Sequence, residues 1–92
     1  MILRALTNGA ITVASAVTVS TRIVGGLLIT ADGTNNAVLK VRRDDTNGKP
    51  VIDITTKIPL WITGPIDMEG TNTAYVDISG TGAAVQVYEW VS

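Results

Sequence analysis

The stretch that decides the fold is Ala83-Ala84-Val85-Gln86-Val87-Tyr88-Glu89-Trp90-Val91. Val85, Val87 and Val91 share one parity, while Gln86, Tyr88 and Trp90 share the other. Residues two apart lie on one face only in extended backbone, so this alternation predicts a β-strand. Both of its faces are substantially apolar. That predicts a strand covered on both sides, by its own domain and by a neighbour.

The same period runs through the rest of the chain. Ile11, Val13, Val17 and Val19 share a parity, with Ala and Thr between them, and predict a strand over 11–19. Arg22 to Thr30 predicts a second strand, in which Gly25-Gly26 marks a bulge or a sharp bend. The turn residues Asp32-Gly33-Thr34-Asn35-Asn36 lead into a strand from Ala37 to Arg43, with Leu39 and Val41 on one side and Lys40 and Arg42 on the other. Asp44 to Gly48 reads as a hairpin turn, followed by a strand from Val51 to Ile58 with Ile52 and Ile54 inward.

Pro59 interrupts, Leu60-Trp61-Ile62 resumes, and Gly64-Pro65 punctuates again before Ile66-Asp67-Met68. A turn at Glu69 to Asn72, a strand from Ala74 to Ile78 and a tight turn at Ser79 to Gly82 complete the chain. No segment carries a capped helical stripe. About seven or eight short antiparallel strands with regular turn signals predict an all-β chain. The expected architecture is a single small β-sandwich or jelly-roll-like barrel, one domain over residues 1–92.

Composition narrows the chemistry. The 92 residues include 34 Val, Ile and Thr, and no Cys, His or Phe. Disulfide scaffolds, Cys/His zinc sites and every mechanism with a histidine or cysteine as base or nucleophile are thereby excluded. Seven basic and eight acidic residues give a net charge of −1, without the positive footprint of a nucleic-acid binder.

The chain is 46% apolar and 16% charged, where about 25% charged is usual. A compact monomer of this mass keeps roughly 5,100 Å² of accessible surface and buries about 63% of its extended-chain area. A core that small leaves apolar residues over, and the expected place for them is a subunit interface. A membrane is the other destination. The longest uncharged run, Ala5 to Thr21, contains Asn8 and Gly9 and alternates, unlike a spanning helix. Ala14-Ser15-Ala16 has the form of a signal cleavage site, but cleavage there would remove half of a patterned strand.

Several clusters invite a functional reading. Asp32 to Asn36 and Asp44 to Gly48 offer oxygen ligands for calcium. The closing position of an EF-hand loop falls on Thr55 or Thr56 instead of Glu, so ordinary turn chemistry accounts for both. Asp53, Asp67, Asp77 and Glu89 lie on strands, but a domain this small seldom builds the cleft that paired catalytic carboxylates need. The expectation is a protein that is not an enzyme, with no cofactor and no metal. Trp61, Tyr75, Tyr88 and Trp90 are candidate sugar-stacking platforms. The aliphatic neighbours of both tryptophans favour core or protein interface instead. Lys40, Arg42 and Arg43 form one basic cluster, largely neutralised by Asp44 and Asp45, and read as a solvated face or a contact to an acidic partner.

Taken together, Leu3-Arg4-Ala5-Leu6-Thr7-Asn8-Gly9, the run from Leu27 to Asn36, the Ala-Val-Leu-Lys-Val strand before its Asp-Thr-Asn-Gly-Lys turn, and Tyr75 to Tyr88 form a pattern. It resembles the small all-β virion proteins of tailed bacteriophages. The likeness covers most of the chain, and its motifs are strand and turn patterns. It implies a capsid decoration (cement) subunit on the capsid exterior of the virion, made in the host cytoplasm. Such a subunit is often a trimer and bridges neighbouring subunits of the major capsid protein. A head–tail or tail component is the alternative within the same group, and a carbohydrate- or surface-binding module is the alternative outside it. The resemblance brings no catalytic or cofactor residue. On this reading Trp61, Tyr88 and Trp90 anchor the interface, with Arg42 and Arg43 as rim contacts. Neither nucleic acid nor membrane is an expected partner.

Overall fold

The computed structural model describes residues 2–6, 10–43, 50–68 and 71–91. They form eight antiparallel strands: β1 (Ile2–Ala5), β2 (Ser15–Thr18), β3 (Ile23–Thr30), β4 (Ala37–Arg43), β5 (Pro50–Thr56), β6 (Leu60–Asp67), β7 (Thr73–Ser79) and β8 (Ala84–Val91). The strands divide into two four-stranded sheets, ordered β1-β8-β3-β6 and β2-β7-β4-β5. Except for the β4–β5 hairpin, each strand leads to one in the opposite sheet. This is the strand order of a jelly roll, two Greek keys folded over one core. The all-β sandwich expected from the alternation is present.

The alternation explains the core. In β4, Ala37, Leu39 and Val41 are buried, and Val38, Lys40 and Arg42 point away from the interior. In β7, Ala74, Val76 and Ile78 face inward, and in β8 Val85 and Val87 do so. Leu27 and Ile29 of β3 close the other side. Apart from Met68, the buried apolar side chains among the described residues are aliphatic; all four aromatic residues lie outside this layer. The accessible surface, 5021 Å², is close to that of a compact monomer of this mass. Total exposure is therefore ordinary, and any unusual property lies in which residues are exposed.

Three expectations are corrected. Residues 11–19 are not one strand: Ile11 bridges Val85 in the first sheet, and Ser15–Thr18 pairs with β7 in the second. The chain crosses between sheets inside a single periodic run. Ile2–Ala5, unassigned by periodicity, is a strand on the edge of β8. Gly64-Pro65 does not end a strand, because β6 runs through it. Edge position permits this, since a proline's missing N–H falls where no partner strand needs it. The turn read at Asp44 to Gly48 lies outside the described residues, as do Glu69 and Gly70 of the following turn.

The glycine pair does mark a bulge. Val24 stands opposite Glu89 and Gly26 opposite Tyr88, so Gly25 is an extra residue in β3. The bulge turns Gly25 and Gly26 toward the outer side of the sheet, where large side chains from neighbouring strands cover them.

Candidate functional site

The two sheets present opposite kinds of outer face. On the β2-β7-β4-β5 sheet, Lys40 stands between Asp53 and Asp77 in register, and Arg42 stands beside Tyr75. Arg42 Nη1 reaches Asp77 Oδ2 at 3.4 Å. This is a charged cross-strand ladder, suited to water.

On the β1-β8-β3-β6 sheet, the outer positions are Leu3 and Ala5 of β1, then Gln86, Tyr88 and Trp90 of β8. Ile23, Gly25, Gly26, Leu28 and Thr30 of β3 and Trp61, Thr63, Pro65 and Asp67 of β6 complete the face. Asp67, at the end of β6, is the one charged side chain among them. Trp61 is 40% exposed, Leu28 is exposed, and Tyr88 and Trp90 are half-buried.

The glycines organise this face. A Cβ on Gly26 would fall within 3 Å of the six-membered ring of Trp61, so the indole reaches across β3 only because that position has no side chain. Beyond Gly26 it meets Tyr88: the rings are edge-to-face, with centroids 5.4 Å apart and planes at 67°. A Cβ on Gly25 would lie 2.7 Å from Leu3 Cδ1 and 2.9 Å from Trp90 Cδ1. Beside Trp90, Thr21, Ile23 and Pro65 complete a groove of about 460 Å³.

Structure therefore brings together Trp61, Tyr88 and Trp90 and separates them from the fourth aromatic, Tyr75, on the opposite sheet. It also separates them from Arg42, which belongs to the charged ladder. Arg43 donates to the Asp67 carbonyl from Nε and Nη2, at 3.3 and 3.0 Å, linking β4 to the end of β6. In the sequence, Leu3 and Leu28 stand out only as members of an apolar pattern. Alternation around Leu28 could have placed it outward, but Leu3 needed the pairing of β1.

The acidic candidates disperse. Asp53 and Asp77 lie on the charged ladder, Asp67 is exposed at the end of β6, and Glu89 points inward at 1% exposure. Arg4 Nη2 binds Glu89 Oε2, and Ser20 Oγ donates to Oε1 at 3.0 Å. The Arg4 bond, aided by Ser20 and the Thr21 backbone, holds the Glu89 carboxyl below its usual range against the opposing effect of burial.

Asp32 accepts from the backbone N–H groups of Asn35 and Thr34, at 2.7 and 2.8 Å, and from Asn35 Nδ2 at 2.8 Å. These bonds lower its pKa, the Asn35 backbone contributing most. Its carboxylate thus serves its own turn. Among the described residues, no three acidic side chains gather as a metal site, and no helix is long and apolar enough to cross a membrane. The chain matches no family model, no curated protein and no solved structure.

Proposed function

We propose that this chain is a non-enzymatic structural subunit of a tailed-phage virion. In this role it is a capsid decoration protein that oligomerises and bridges major-capsid subunits to stabilise the head. The supporting observation is the apolar and aromatic centre of the outer face, Leu3, Leu28, Trp61, Tyr88 and Trp90, with its one charge, Asp67, at the end of β6. Three strands of eight residues and one of four, spaced at ~4.8 Å with ~3.3 Å per residue, cover about 440 Å². Two such faces in contact come to about 900 Å², close to the ~1,000 Å² that marks a specific interface. A face whose one charge, Asp67, sits at the end of β6 suits a second copy of the same chain, because the centres of identical faces then meet without like-charge repulsion. Tryptophan and tyrosine are also the residues on which interface energy concentrates.

In this proposal the aromatic face joins copies of the chain, and Arg42 and Arg43, on the other sheet, belong to a separate contact with the shell. A copy number in purified virions that matches the shell lattice supports decoration. A number matching a single ring assigns the chain to the neck or tail. The exposed Trp61 indole, braced by Gly26 and Tyr88, favours one other reading, a platform for stacking sugars. Binding on a glycan array that Trp61→Ala abolishes would establish that reading in place of decoration.

A further inference from the structure

We infer that the Arg4–Glu89 pair, a largely exposed guanidinium on a buried carboxylate, is a register pin, which selects the face of β1 that looks outward and thereby places Leu3 beside Trp90. Hydrophobic pattern cannot align β1. Leu3 and Ala5 occupy one parity, Ile2 and Leu6 the other, so both faces of this edge strand are apolar. A slip of one residue exchanges the faces of a whole strand. Here it would turn Leu3 and Ala5 to the side that Ile2, 64% exposed, and the half-buried Leu6 now occupy, a side where apolar burial is already incomplete.

Arg4 removes that degeneracy. In the observed register it stands opposite Glu89 and binds it, while Ser20 Oγ holds the other carboxylate oxygen. On its far side Glu89 has only the aliphatic Val24 as a strand neighbour. After a one-residue slip Arg4 would lie on the outer face, leaving Glu89 a buried charge without its cation. A two-residue slip restores the faces but sets Ile2 or Leu6 opposite Glu89, with the same loss.

The pair acts on specificity more than on stability. Only the carboxylate is buried, and the Arg4 guanidinium stays largely in water, so its attraction adds little net stability. Setting register is the best-attested use of a buried charged group. Its effect reaches the outer face directly. Leu3 and Trp90 are the next register pair after Arg4 and Glu89, and together they cover Gly25. A slipped β1 would bring a cation onto a face whose one charge is Asp67 at the end of β6. The inference concerns the chain itself and stands whether or not that face docks a partner.

The test is NMR on the double variant Arg4→Met/Glu89→Leu. Its readouts are the Leu3 methyl to Trp90 indole NOE, the number of Trp90 indole signals, and amide exchange in β1 relative to Leu39 and Val85. The expected result is a folded core with β1 amides exchanging at least about tenfold faster, and a Trp90 indole split or without its Leu3 contact. One indole signal, an intact NOE and unchanged β1 protection would overturn the inference. If the double variant does not fold, Glu89→Gln, which keeps the shape and removes the charge, carries the same two outcomes. Failure of both to fold would make the pair a source of global stability and would also overturn it.

Discussion

Trp61 occupies the space directly above Gly26, where a Cβ would fall within 3 Å of its ring carbons. That relationship joins a backbone irregularity in β3 to the chemistry of the outer face. The missing side chain lets an indole rooted on β6 cross β3 and meet Tyr88 on β8. Gly26→Ala should therefore displace Trp61. The expected cost is about 1–3 kcal/mol, typical of overpacking, with a shift in tryptophan fluorescence. Chemical denaturation followed by fluorescence measures both. Unchanged stability and spectrum would mean that the indole has an equally good position elsewhere.

Trp90→Ala should cost more stability than Trp61→Ala. Trp90 is half-buried against Leu3 and Gly25, whereas Trp61 is 40% exposed. Paired thermal melts check the order, and its reversal would contradict the packing described for the outer face.

Stability should fall on acidification. The folded-state pKa of Glu89 is depressed below its ordinary value of about 4.5, so its contribution is fully present above that value. The contribution is lost as pH drops through the folded pKa. Asp32, depressed from 3.8 by its own turn, acts in the same direction from an exposed site. Glu89→Gln should flatten the acid limb of the stability curve more than Asp32→Asn does. Denaturant midpoints measured from neutral pH down to strongly acidic pH provide the comparison.

Gly80→Ala should be among the most harmful changes in a turn. Gly80 has φ of +115°, and a Cβ there would collide with the Asn36 carbonyl oxygen of the facing loop. The backbone conformation alone accounts for on the order of 1–3 kcal/mol. Gly33→Ala provides the control, since Gly33 has φ of +88° but open space around it. A smaller loss at Gly33 than at Gly80, read from denaturant midpoints, separates collision from conformation.

How far the fold was legible depended on the strand. β4 was readable to its ends because Asp32 to Asn36 supply turn chemistry and the following residues alternate strictly. β1 was not, because Ile2, Leu3 and Leu6 place apolar side chains on both parities. The break between Ile11 and Ser15 was hidden because the period continues unaltered while the chain moves from one sheet to the other. The aromatic half of the site was visible in the parity of Tyr88 and Trp90. Its union with Trp61 depends on β3 lying between β6 and β8, a matter of strand order that periodicity does not encode. The same holds for Arg4 and Glu89, 85 positions apart in the chain.

The most direct test of the assembly proposal is the solution mass of the wild-type chain and of a Leu28→Lys variant, by size-exclusion chromatography with light scattering. Leu28 is exposed at the centre of the aromatic face, between Trp61 and Gln86 in register, so a charge there should act on association and spare the core. The account predicts a multiple of the 9.6 kDa chain mass for the wild type and a single chain for the variant. A wild-type species of one chain mass, with Trp61 fully accessible to a collisional quencher, would contradict it.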